Sequence, residues 1–186
     1  RWSMGEIKKI LPEKLVIGFI YKNEEIVEKV KDALINEFGK IDFESAALNF
    51  IHTDYYNKEI GENLLKKFIS FEKLVNPDKL SDIKIFTNSI EQKFFYNGTN
   101  NRMINIDPGL LSLSKLVLAT TKNYDHRIYI GKGIFAEVTL RWTQKNFKEF
   151  EWTYPDFRTE EYKRILGKIR EIYKEQIKLQ NFDSDF

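Results

Sequence analysis

Between positions 15 and 106, apolar residues recur with two periods in a fixed order, and that order constrains the fold more than any other feature of the chain. Residues 15–21 (LVIGFIY) form a short continuous apolar run, as in a strand covered on both faces. Asn23 then stands where a helix N-cap belongs, with Glu24 and Glu25 in the first turn, where the helix dipole favours anions. Ile26, Val30, Ala33, Leu34 and Phe38 repeat at helical spacing, and Gly39 stops the helix. Residues 41–47 alternate as a strand, 53–63 are polar and read as a loop, and 67–74 form another strand. Asn76-Pro77 opens a second helix with the stripe Leu80, Ile83, Thr87, Ile90 and Phe94, closed at Asn97-Gly98. A further strand covers 103–106. The order β-α-β-β-α-β predicts an α+β fold with a ferredoxin-like βαββαβ core over roughly residues 14–107.

Beyond that core, Asp107-Pro108-Gly109 reads as a corner, and residues 110–121 fit either a strand or a helix, with a helix from Ser112 onward preferred. Residues 127–130 and 134–142 form an added C-terminal β-hairpin around Gly131-Lys132-Gly133. A three-residue loop sets Ile130 opposite Ile134, Ile128 opposite Ala136, and Arg127 opposite Glu137. Ile128, Ile130, Ile134, Ala136, Val138 and Leu140 then share one face, while Arg127, Tyr129, Phe135, Glu137, Thr139 and Arg141 share the other. An aromatic-rich loop over 146–158 leads to Thr159, which caps a long terminal helix with the stripe Tyr162, Ile165, Leu166, Ile169, Ile172, Tyr173 and Gln176. One domain spans residues 4–186, and Arg1-Trp2-Ser3 ahead of Met4 reads as a cloning remnant.

Charge and composition narrow the function classes. Thirty basic and 28 acidic side chains give a net charge of +2, which offers no strong pull on nucleic acid or anionic lipid. The chain has no cysteine, so disulfides, thiolate metal sites and a cysteine nucleophile are absent, as befits a reducing compartment. No apolar run reaches the roughly 20 residues needed to span a bilayer, and residues 4–14 lack the apolar segment of a secretion signal. A soluble cytoplasmic protein without membrane or nucleic-acid partners is expected.

Four groups of residues carry candidate chemistry. Lys122, His126, Arg127 and Lys132 surround the hairpin and supply the donors that phosphate or carboxylate recognition needs; the plain alternative is a solvated turn with Arg127 paired to Glu137. Asp54, Asp107, Glu137 and Asp156 are carboxylates that would hold a divalent cation or act as a base if they converged. The two histidines, His52 and His126, are too few for a zinc signature, and His126 is the better acid–base candidate because cations flank it. In the 152–158 loop, Trp152, Tyr154, Asp156 and Arg158 form either an aromatic plug over a sheet edge or a lid that stacks on a base or sugar, and the plug is preferred.

Several segments together resemble a known family. They are Asn105-Ile106-Asp107-Pro108-Gly109, the run from Lys115 through Lys122, His126-Arg127-Ile128-Tyr129-Ile130, the run from Gly133 through Leu140, and Thr153-Tyr154-Pro155-Asp156. Lys14-Leu15-Val16-Ile17-Gly18, Thr53-Asp54-Tyr55-Tyr56 and Phe68-Ile69-Ser70-Phe71-Glu72 extend the likeness. The chain resembles, over nearly its whole length from Met4, the microbial family catalogued as domain of unknown function 4416. Some members are labelled GTP-binding protein. The resemblance implies no established activity, cofactor or metal. The residues do not supply a P-loop: Gly131-Lys132-Gly133 lacks both its spacing and its hydroxyl. Thr121-Lys122 is followed by Asp125, one residue late for a guanine-reading Thr-Lys-x-Asp.

These readings converge on a protein that binds an anionic small metabolite or nucleotide. Its pocket would lie between the 122–137 hairpin, the 107–109 corner and the 152–158 loop. Arg127, Lys122 and Lys132 would hold the anion, Asp107, Tyr154, Asp156 and Arg158 would line the pocket, and His126 with Glu137 would act as acid and base. The competing expectation is a protein–protein or homo-oligomeric module without catalysis. RNA binding ranks third, because the aromatic pattern of RNA-binding sheets is missing.

Overall fold

The computed structural model describes residues 5–183, with side chains described through residue 180; the expected remnant at 1–3 lies outside the described residues. The elements are β1 (Lys14–Tyr21), α1 (Glu24–Phe38), β2 (Ile41–Glu44), β3 (Leu48–Asn49), β4 (Leu65–Phe71), α2 (Leu80–Gln92), β5 (Ile104–Leu111), β6 (Lys115–Thr120), β7 (Ile128–Gly131), β8 (Ile134–Thr143), β9 (Asn146–Glu149) and α3 (Glu160–Asp183). The fold is α+β. Among the described residues, one nine-stranded sheet runs in the order β2-β4-β1-β5-β6-β8-β7, with β3 on β4 and β9 on β8. Every ladder is antiparallel.

Strand β1 is buried along its whole length because both of its faces are covered. Leu15, Ile17, Phe19 and Tyr21 point to the face packed by Val27, Val30 and Leu34 of α1 and by Leu80, Ile83 and Ile90 of α2. Val16, with Phe68, Leu116, Leu140 and Phe147, faces Tyr162, Leu166, Ile169 and Tyr173 of α3. Each such side chain contributes roughly 1.5–3 kcal/mol through burial. Asn23 caps α1, its side chain accepting from the Glu25 amide at 2.8 Å, and Thr159 caps α3 by accepting from the Tyr162 amide at 3.3 Å.

Lys14 ties the α3 layer to the sheet. Its buried ammonium donates to the Phe71 carbonyl at 2.8 Å and to Gln176 Oε1 at 2.7 Å, and pairs with Asp42. Burial lowers its pKa, and Asp42 opposes that shift.

Three sequence expectations are corrected. The segment from Ser112 is not a helix: Ser112 to Ser114 turn the chain, and Lys115–Thr120 is strand β6. Asp107-Pro108-Gly109 is not a corner but lies inside β5, paired to Gly18, Ile17 and Val16 of β1. Proline is tolerated there because the β5–β6 ladder covers only Gly109, Leu110 and Leu111, so Pro108 stands where that pairing stops. The hairpin keeps Ile128 opposite Ala136, but Gly131 rather than Ile130 meets Ile134. Ile130 is the extra residue of a bulge. Lys132 and Gly133, at φ 56° and 79°, make a two-residue turn that suits the strand twist.

A second irregularity breaks the expected face segregation. Leu116 pairs with Leu140, but Val117 pairs with Val138, so Thr139 is an extra residue on β8. Val117 packs with the α1–α2 side and Leu140 with the α3 side, so Leu140 does not share the face of Val138.

Candidate functional site

Where the β5–β6 ladder ends at Gly109, the two strands part and a cavity opens between them. Its volume is about 710 Å³, and it reaches from the α3 side of the sheet to α2. Gly109 permits the close approach that precedes the gap, since a Cβ there would lie 2.6 Å from Leu118 Cδ2 and 2.7 Å from the Val117 carbonyl oxygen. Phe50, His52, Tyr55, Tyr56, Phe95, Tyr154 and Phe157 give the walls an aromatic character.

A chain of polar groups runs along the β5 rim. Arg102 binds Glu59 through two hydrogen bonds of 2.6 and 2.9 Å and also pairs with Glu91. Its Nη1 donates to Asn105 Oδ1 at 2.8 Å, Asn105 Nδ2 donates to Asp107 Oδ2 at 2.7 Å, and Lys84 lies 3.7 Å from Asp107 Oδ1. Hydrogen bonds from Arg102 hold the Glu59 carboxyl below its ordinary pKa. Burial pushes Glu91 the other way, although Arg102 opposes it. The Tyr56 hydroxyl is also raised, first by burial and then by the Asp107 charge, so it stays a hydrogen-bond donor at neutral pH.

The opposite rim belongs to β8. Glu137 is buried, and its Oε1 accepts from Arg127 Nε at 3.2 Å and faces His126 Nε2 at 2.8 Å. The Thr139 hydroxyl, two residues along β8, donates to Oε2 at 3.1 Å. Arg127 also donates to the Lys122 carbonyl at 3.0 Å. His126 faces Asp125 through Nδ1 at 3.1 Å, so both ring nitrogens are engaged, and its ring stacks on Trp152 at 5.2 Å. Trp152 in turn stacks on Phe150 at 4.6 Å and donates to the Val138 carbonyl at 2.9 Å. The 152–158 loop therefore plugs the β8 edge with Trp152 and walls the cavity with Tyr154 to Phe157.

The floor holds Lys66, which is 1% exposed. Its ammonium lies over the rings of Phe68, Phe157 and Tyr162 at 5.1, 5.3 and 5.8 Å. Such contacts give about 0.5–2 kcal/mol each, which offsets only part of the cost of removing an ammonium from water.

Of the residues singled out from sequence, Lys122, Arg127, Asp107, Glu137, Tyr154 and Asp156 border this one cavity, and His126 adjoins it through Glu137. Lys132 does not: it pairs with Asp82 of α2. Nor does Arg158, whose guanidinium donates to the carbonyls of Thr153, Phe150 and Glu151 at 2.7, 3.1 and 2.8 Å. Asp54 bonds Asn57 at 3.1 Å within its own loop, and no group of three metal-ligating side chains forms among the described residues. Sequence reasoning missed Lys66, Lys84, Glu91, Arg102 and Asn105. The polar alternation Asn105, Asp107 in an apolar strand was the available signal for one rim, whereas nothing marked Lys66 apart from its neighbour Lys67.

Residues 11–173 match the family model described as Domain of unknown function (DUF4416). No curated protein and no solved structure matches the chain. Among the described residues, no helix is long and apolar enough to cross a membrane.

Proposed function

The chain belongs to the DUF4416 family, and from that premise we propose that it binds an anionic small metabolite or nucleotide in the cavity between β5 and β6. The observation that carries this reading is the convergence of five cationic side chains, Lys66, Lys84, Arg102, Lys122 and Arg127, on one aromatic-walled cavity. A volume near 710 Å³ lies within the range of about 300–1,000 Å³ typical of small-ligand sites. Lys122 would meet the anion at the mouth, Arg127 would reach it from within its pair with Glu137, and the rings of Tyr154 and Phe157 would stack on a planar part of the ligand. Any proton transfer would run through Glu137 and His126 towards Asp125, the order in which these groups are hydrogen-bonded.

The same reading takes β1 to β5 with α1 and α2 as a ferredoxin-like unit, supported by the antiparallel order β2-β4-β1-β5. It also sets the protein in the cytoplasm, supported by the absence of cysteine.

One observation favours a second reading, a homo-oligomeric or protein-binding module. Strand β7 ends the sheet path with Ile128 and Tyr129 exposed, an edge that another strand could extend. Thermal melting against inorganic phosphate and nucleoside mono- and triphosphates, at low and high salt, tests the first reading. A rise in Tm that shrinks with salt is expected. No rise with any of them, together with a dimer that survives dilution in sedimentation, would replace it with the second.

A further inference from the structure

Four of the five cations at the cavity already have polar partners. Lys84 has Asp107, Arg102 has Glu59 and Glu91, Arg127 has Glu137, and Lys122 donates to the Tyr55 hydroxyl at 2.8 Å. Lys66 has neither an ion pair nor a hydrogen bond among the described residues, although it is 1% exposed. We propose that Lys66 is the anchoring cation of the site and takes an oxyanion group of the ligand, phosphate or carboxylate, on the cavity floor. This rests on the reading that the cavity binds an anion, and adds which charge holds it.

Two features show that the position is built for an ammonium. The first is the cage of Phe68, Phe157 and Tyr162, whose ring faces hold a cation without occupying its N–H donors. The second is Gly18 on β1. A Cβ there would lie 3.1 Å from both Lys66 Cε and Nζ, so the glycine leaves the space that the lysine end fills. Lys66 is among the residues that line the cavity, which is where the ligand oxyanion would meet it. A second unsatisfied group belongs to a residue of the cage: the buried Tyr162 hydroxyl has no hydrogen-bond partner among the described residues. Among the described residues, Asp156 is the one buried carboxylate on the cavity wall without a side-chain hydrogen bond, and it forms no ion pair with Lys66. Its charge opposes a nearby anion, so it limits how much negative charge the floor accepts.

The test is titration of inorganic phosphate followed by ³¹P line width, on wild type, Lys66→Met, Lys122→Ala and Asp156→Asn. Methionine keeps the bulk of the lysine stem without its charge. Wild type should broaden the phosphate line, and Lys66→Met should weaken binding by at least about tenfold, the effect of losing a charge-assisted hydrogen bond. Lys122→Ala should weaken it by less than about threefold, as for a solvent-screened cation. Asp156→Asn should tighten it. If Lys66→Met binds as wild type does while Lys122→Ala does not, Lys66 is not the anchor, yet the anion-site reading stands. If wild type broadens no phosphate line, both readings fall. Should Lys66→Met fail to fold, the ¹⁵Nζ resonance of Lys66 in wild type decides: a shift on adding phosphate supports the anchor, and an unmoved resonance under conditions where phosphate binds overturns it.

Discussion

Arg127 Nε stands 3.2 Å from Glu137 Oε1, with the two side chains 5% and 4% exposed. An arginine so placed cannot be removed as though it were a surface contact. The guanidinium also reaches the Lys122 carbonyl, and Glu137 holds Thr139 and His126, so one buried pair ties β8 to the segment between β6 and β7.

Arg127→Ala is therefore expected to cost stability as well as any ligand affinity. Leaving the buried Glu137 carboxylate with only His126 and Thr139 should destabilise by up to about 3–5 kcal/mol, the cost of breaking a buried pair. Urea unfolding checks this, and adding Glu137→Gln to Arg127→Ala should recover part of the loss. A loss below about 0.5 kcal/mol, with ligand binding abolished, would return Arg127 to a purely ligand-facing role.

Gly109→Ala should destabilise by roughly 1–3 kcal/mol, the range for overpacking. Its Cβ meets the backbone oxygen of Val117 at 2.7 Å, a contact that no side-chain rotation relieves. Thermal melting measures the loss, and amide exchange should quicken first at residues 109–111, where β5 and β6 meet.

Glu59 sets a pH dependence of known sign. Its carboxyl titrates below the ordinary 4.5 when folded because Arg102 hydrogen-bonds the charged form. The stabilisation is thus full above the ordinary value and is lost as pH falls through the depressed folded value. Glu91 has the opposite sign: burial raises its pKa, so its contribution is present below the ordinary value and is lost as pH rises through the folded one. Glu59→Gln should cost about 1 kcal/mol at neutral pH. That difference from wild type should shrink in denaturant titrations taken down to about pH 3. A gap that stays constant over this range would mean that the charge of Glu59 is not what holds Arg102.

Arg158→Met should loosen the 152–158 loop without touching the cavity directly. Three carbonyls lose a shared charged donor, at a cost of about 2–3 kcal/mol. The Trp152 fluorescence maximum should move to the red as its stack with Phe150 and His126 opens. Unchanged emission would show that the aromatic stack holds the loop by itself.

The first half of the fold was legible because its signals are local. The continuous run of β1, the Asn23 cap and the stripe from Leu80 to Ile90 each need only neighbouring residues to be read. The pairing of Ile128 with Ala136 was legible for the same reason. The bulge at Thr139 was not, because whether β8 keeps its alternation depends on Leu116 and Val117 of another strand. Pro108-Gly109 carries the residues of a turn, yet a ladder confined to three residue pairs lets it remain extended. Part of the candidate site was legible from its charged residues in apolar segments, such as Asp107 and Glu137. Lys66 was not, because a lysine stem suits both water and an aromatic cage, and only the space over Gly18 decides between them.

The clasp of Lys14 to Gln176 joins residues 162 positions apart. During synthesis the first strand would emerge long before the helix that covers its Val16 face. The nascent sheet would therefore present first Val16 and then Phe68 to its surroundings, joined late by Leu116 and Leu140, with the Lys14 charge lacking one of its final acceptors. At synthesis rates of about 5–20 residues per second, the interval between β1 and α3 lasts on the order of ten seconds. Chaperone demand should accordingly rise in any variant that weakens the docking of α3, even where the purified protein is stable once complete.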